Sequence, residues 1–150
     1  MKRHKSLVSL SREHHLALVQ AHNLRYLGSE KITLPTQEVV EKFLSFWEEE
    51  LVKHFRKEEE ILLPKLARYS KDHIGEITQL LLEHLDLRCR LDELKSCVQE
   101  NQLPSLRTLN EFGEQLYKHI RFEEDKFFAL VEENLPESEL KQLLELLENN

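Results

Sequence analysis

Apolar residues recur at three- and four-residue intervals along most of the chain, the period of one helical face. Leu7, Leu10, Ala17, Leu18, Ala21 and Leu24 predict a first helix over about Ser9–Leu27, with Gly28 where a helix end prefers glycine. Val40, Phe43, Leu44, Trp47, Leu51 and Ile61 predict a second over about Thr36–Arg68, with Pro64 as a point for a kink or an early end. After a turn near Tyr69–Asp72, Ile77, Leu80, Leu87, Leu91, Leu94 and Val98 predict a third over about His73–Glu100. Asn101-Gln102-Leu103-Pro104 breaks the pattern, and Leu109, Phe112, Leu116, Phe127 and Leu130 predict a fourth from Ser105 to Glu133. Pro136 opens a short last helix ending near Leu147, proline being favoured in a first turn. Its Leu140, Leu143, Leu144 and Leu147 are placed to pack on the rest, with a protein partner as the alternative. No stretch alternates as a strand does. Long helices with short connections predict an all-α fold: an antiparallel up-down-up-down four-helix bundle with a short C-terminal helix. The 150 residues read as one domain, its core over about 9–133.

Each apolar stripe is interrupted by a polar residue. His14 breaks the first, His54 and Glu58 the second, His84 the third, and His119 and Glu123 the fourth. Residues four apart stack on one helical face, so each His-x-x-x-Glu aims an imidazole and a carboxylate the same way. Such groups are costly in a core unless they have partners. A helix rise of 1.5 Å per residue puts them about 15–27 Å from the nearest connections, so antiparallel neighbours bring them to one layer. His15 is the alternative to His14, but His14 is the one on the Leu10/Ala17/Ala21 face. His4 and His22 read as surface residues and His73 as a helix-end residue. Glu59 and Glu124, one position round from the in-facing glutamates, read as solvated. Glu13 and Glu83 each precede a histidine and are candidate acceptors for imidazole N–H. Arg88 is a candidate partner for a carboxylate.

Four imidazoles and two carboxylates are more than one tetrahedral zinc needs. A Glu-His helix followed by a His-x-x-x-Glu helix occurs twice, as Glu13-His14 with His54/Glu58 and as Glu83-His84 with His119/Glu123. Two such halves suit two metals, with bridging carboxylates and terminal imidazoles. Ligands without thiolate favour iron first, then manganese or zinc. Two carboxylates leave a divalent pair net positive, which favours an anionic ligand beside it.

Composition narrows the partners. A third of the residues are charged and the net charge is −7, which argues against nucleic acid. No apolar run approaches the roughly 18–20 residues of a membrane span, and the N-terminus has no secretory apolar stretch. Cys89 and Cys97 lie in one helix about 12 Å apart, beyond disulfide reach. A reduced, cytoplasmic chain is the simplest expectation. The identity of any protein partner is not legible.

The residues Arg12-Glu13-His14-His15, His54-Phe55-Arg56-Lys57-Glu58-Glu59, Glu83-His84 and His119-Ile120-Arg121-Phe122-Glu123-Glu124 resemble the hemerythrin-like, or HHE cation-binding, family. The resemblance spans about residues 9–133. It implies a bundle around an oxo- or hydroxo-bridged pair of iron ions, held here by His14, His54, Glu58, His84, His119 and Glu123. It also implies a small partner such as O2, NO or another diatomic or anionic ligand, handled or sensed more than turned over. A di-iron oxidase and a helical bundle with one structural zinc remain the alternatives. Oxygen-carrying members have His-x-x-x-His on the third helix, whereas Leu80 and Arg88 flank His84 here at that spacing. That departure argues against reversible oxygen carriage.

Overall fold

The structure is a computed structural model and describes residues 2–149. A single 3-10 turn, Lys5–Leu7, leads into α1, Val8–Arg25. The second helix, α2, is one continuous helical run over residues 36–69 that changes its winding twice. Between its α-helical parts lie π turns at Trp47–Leu51 and Glu58–Leu62. A 3-10 turn, Lys71–His73, precedes α3, Ile74–Gln99. The fourth helix, α4, covers residues 106–134 and holds a third π turn at Glu123–Phe127. Ser105 caps it, its hydroxyl accepting from the Thr108 N–H at 3.2 Å. The terminal α5 is Glu137–Glu148. The architecture is all-helical, a four-helix bundle with one added helix, as the periodicity predicts.

Two local expectations change. α1 ends at Arg25, and Gly28 sits beyond it in the turn with a positive φ of 90°. Pro64 neither ends nor breaks α2, which continues to Tyr69. The π turn just before it explains this. Leu63 N–H already reaches back five residues to the Glu58 carbonyl. Pro64, which has no N–H, therefore enters at the start of a fresh α-helical stretch. The widened turn also moves the apolar stripe by one residue, so Leu62 is fully buried and Ile61 only partly.

The core is in two apolar parts. One is built from Ala17, Ala21, Phe43, Trp47, Leu91 and Phe112 with their neighbours. The other joins Leu7, Leu10, Leu66, Leu80, Phe127 and Val131 to Leu140, Leu143 and Leu147 of α5, which closes that end of the bundle. Between them lies a buried polar layer of His14, His54, Glu58, His84, His119 and Glu123. α1 and α4 approach closely at Gly113, where a Cβ would meet the Arg25 nitrogen at 2.5 Å and Leu24 Cβ at 2.7 Å.

Candidate metal centre

All six layer residues have side chains no more than 2 % exposed, so their polar atoms are cut off from water. The four imidazoles are oriented alike, with Nε2 inward and Nδ1 outward. The inward atoms form two groups of four. One comprises His14, His54, Glu58 and Glu123, and the other Glu58, His84, His119 and Glu123. Both glutamates belong to both groups, one oxygen turned to each. Glu58 Oε2 lies 3.2 Å from His54 Nε2, and its Oε1 lies 3.2 Å from His84 Nε2. Glu123 Oε1 lies 2.8 Å from His14 Nε2, and its Oε2 lies 3.2 Å from His119 Nε2.

These separations suit a cation at the middle of each group. Metal–ligand bonds of about 2.1 Å put neighbouring ligands about 3.0 Å apart and opposite ones about 4.2 Å apart. In the first group, nitrogen–oxygen separations already run from 2.8 to 4.0 Å. The orphaned atoms make the same point. Both Glu58 oxygens, Glu123 Oε2, His84 Nε2 and His119 Nε2 are buried and, among the described residues, have no hydrogen-bond partner. Buried polar atoms are nearly always partnered, so a cluster of such atoms facing one another suits a cation held between them.

The outward nitrogens meet a second set of carboxylates. His54 Nδ1 is 2.8 Å from Glu13, His119 Nδ1 is 2.7 Å from Glu83, and His84 Nδ1 is 2.5 Å from Glu59. His14 Nδ1 comes within 3.3 Å of Glu124 Oε2, outside hydrogen-bond geometry, while the Ser11 hydroxyl donates to that same oxygen at 2.9 Å. Each imidazole therefore faces a carboxylate from the preceding helix in a closed circuit: α1 to α2, α2 to α3, α3 to α4, α4 to α1. Lys57 anchors Glu13 at 2.9 Å and Arg88 anchors Glu59 at 2.8 Å. Arg3 stands 3.9 Å from Glu124. Among the described residues Glu83 has no Lys or Arg ion pair and accepts only from the Gln79 amide, at 2.8 Å, besides His119.

Aromatic rings hold two imidazoles flat. Phe55 stacks on His84 with centroids 3.8 Å apart, and Phe128 stacks on His14 at 5.3 Å. In the metal-free protein the cage is strongly charged. Burial pushes the His84 imidazole down, but Glu123, Glu58 and Glu59 outweigh it and raise its pKa to about 10. His119, likewise opposed by burial, is raised to about 9 by Glu123 and Glu83. His54 is raised well above its ordinary value and His14 is raised as well. Burial pushes Glu123 up, but the imidazoles around it, His119 first, hold it well below the usual carboxylate range. Protons on the imidazoles thus compete with a metal cation for the same nitrogens.

The structure brings together all six residues that interrupt the stripes, and it turns His15 out to solvent. Glu13, Glu83 and Arg88 have the partners expected of them. Glu59 and Glu124 are not solvated: both are held against imidazoles, because each faces a neighbouring helix that its own helix's periodicity cannot reveal. The signal was a doublet in every helix, Glu13-His14, Glu58-Glu59, Glu83-His84 and Glu123-Glu124. His4 is half-buried, its Nδ1 accepting from the Ser6 N–H at 3.1 Å and its Nε2 lying 3.1 Å from the exposed Glu137 of α5. Cys89 and Cys97 are free thiols. None of the described helices is long and apolar enough to cross a membrane. A family model described as Hemerythrin HHE cation binding domain matches residues 6–131. No curated protein and no solved structure matches significantly.

Proposed function

The chain belongs to the hemerythrin HHE cation-binding domain family, and on that premise we propose that it holds two iron ions and binds or senses a small diatomic or anionic ligand there. The observation that carries this reading is the pair of four-residue groups sharing Glu58 and Glu123. His14 and His54 would hold one ion and His84 and His119 the other, with the two glutamates spanning both. Bound iron supplies redox capacity and an electrophilic site for ligands such as O2 or NO. The chain supplies the rest. Glu13, Glu59 and Glu83 hold an Nδ1–H on their imidazoles, which leaves each Nε2 lone pair free to face inward. Phe55 and Phe128 fix two of the rings. The apolar layers above and below keep bulk water from the cage. Each ion would receive two imidazole nitrogens and two carboxylate oxygens, which leaves coordination positions for a ligand. Leu80 is fully buried in the core and Arg88 is turned to Glu59, so neither supplies a fifth imidazole. That supports sensing or handling over reversible oxygen carriage.

Metal quantification with optical spectra of the anaerobic ferrous protein, before and after O2 and NO, tests the reading. Two iron ions per chain and ligand-dependent spectra are expected. One zinc per chain and no spectral response would replace it with a structural zinc bundle. Glu58→Ala combined with His54→Ala should abolish stoichiometric loading. Unchanged metal content in that variant would refute the site.

A further inference from the structure

The outward side of α3 carries an apolar stripe that none of the described residues covers. Ile74 is 72 % exposed, Leu82 55 %, Leu85 54 % and Leu81 43 %. At 3.6 residues per turn these four share one side of the helix, roughly opposite Leu80, His84 and Leu87, which face the core. Exposed apolar residues scattered singly are ordinary, but a stripe of them on one helix marks a contact surface. The stripe is also symmetric in position about the point midway between Leu81 and Leu82. If an identical helix is laid antiparallel across that point, Leu81 meets Leu82, Thr78 meets Leu85, and Ile74 meets Cys89. One step further out, Lys71 meets Asp92. Thr78, Cys89, Lys71 and Asp92 are all exposed. Among the described residues neither Lys71 nor Asp92 has an ion-pair partner. Asp92 on α3 stands about 16 Å from the apolar centre, and Lys71 lies beyond the other end of the stripe in the 3-10 turn that leads into the helix, so a reversed copy of the same segment brings opposite charges together.

We propose that α3 is the interface of a symmetric dimer, in which a second copy of this chain packs antiparallel across Leu81, Leu82 and Leu85. In such a twofold contact every pair occurs twice. Lys71 of each copy pairs with Asp92 of the other, and the two pairs set the register while the leucines supply the buried area. The surface lies on the far side of α3 from His84, so the proposal stands whether or not the metal reading does.

Sedimentation equilibrium of the full chain tests it. The mass should rise with concentration from the 17.9 kDa of one chain toward twice that value. Leu82→Glu with Leu85→Glu should leave a monomer with unchanged helical circular dichroism. Lys71→Asp alone and Asp92→Lys alone each set two like-charged pairs against each other and should weaken association about tenfold or more. The combined swap, Lys71→Asp with Asp92→Lys, should restore it. A monomer at every concentration, a dimer that survives the leucine changes, or a combined swap that fails to restore association would each overturn the proposal.

Discussion

Glu83 is the most informative residue to change, because it touches the candidate cage through one hydrogen bond. It stands 2.7 Å from the buried His119 Nδ1 and, unlike Glu13 and Glu59, has no Lys or Arg within ion-pair distance among the described residues. It therefore acts on the imidazole without a direct counter-ion. Glu83→Gln keeps an acceptor in place but removes the charge. Hydrogen bonds to charged groups contribute about 1.5–3 kcal/mol and neutral ones about 0.5–1.5, so the expected loss is about 1–1.5 kcal/mol. That is about a tenfold loss of metal affinity. Glu83→Leu removes the acceptor too and strands a buried N–H, which moves the loss toward about 100-fold. Glu13→Gln should lose less, since Lys57 at 2.9 Å already offsets much of the Glu13 charge. Titration of metal-free protein with Co2+ against a competing chelator, followed through the visible spectrum, would measure these losses. The expected order is wild type, Glu13→Gln, Glu83→Gln, Glu83→Leu, from tightest to weakest. Wild-type affinity in both Glu83 variants, or a larger loss for Gln than for Leu, would refute the role given to this carboxylate.

The metal-free protein should be most stable in mildly acidic solution. His84 and His119 have folded pKa values of about 10 and 9, above their ordinary 6.5. Their contribution is complete below about pH 6.5 and is lost as the pH climbs through those folded values. The lowered Glu13, Glu59, Glu123 and Glu124 work in the other direction, their contribution disappearing as the pH falls below their ordinary 4.5. Thermal melts of chelator-treated protein should therefore fall from pH 6.5 to 9, and a flat or rising midpoint there would contradict the cage electrostatics. Metal affinity should rise over the same range, because binding displaces the imidazole protons. Gly113→Ala would press a methyl group to within 2.8 Å of the Ala21 carbonyl and 2.5 Å of the Arg25 nitrogen. It should cost about 3 kcal/mol, or about 6–12 °C of melting temperature, and a loss under about 1 kcal/mol would show that α1 and α4 can separate freely. Free metal at 100 times its dissociation constant should add about 2.7 kcal/mol per site, and an unchanged melting point would uncouple metal from folding.

The sequence carried the bundle because helix periodicity is a local property. It carried the six-residue layer because each member breaks an apolar stripe at a depth that rise per residue fixes. What it did not carry depended on neighbours. Glu59 looks solvated when only α2 is considered, since nothing in α2 says that His84 will stand beside it. The π turns were equally hidden. Glu58-Glu59-Glu60-Ile61-Leu62 has ordinary helix-forming residues, and the widened winding emerges only when Leu62 and Leu63 must both reach the core. Pro64 misled for the same reason.

The circuit of outer carboxylates also records which way the bundle turns. In α1 and α3 the outer glutamate comes one residue before an in-facing histidine, and in α2 and α4 one residue after an in-facing glutamate. One residue is about 100° of rotation. Seen from one end, a step back on a rising helix and a step forward on a falling helix rotate the same way. All four carboxylates therefore lean toward the next helix in a single sense. Were the same helices joined in the opposite cyclic order, every one of them would lean toward the wrong neighbour, and the Nδ1 hydrogen bonds of His54, His84 and His119 would be lost. The alternation of the doublets is thus a chirality instruction written into the chain, separating the bundle that forms from its reverse-handed twin.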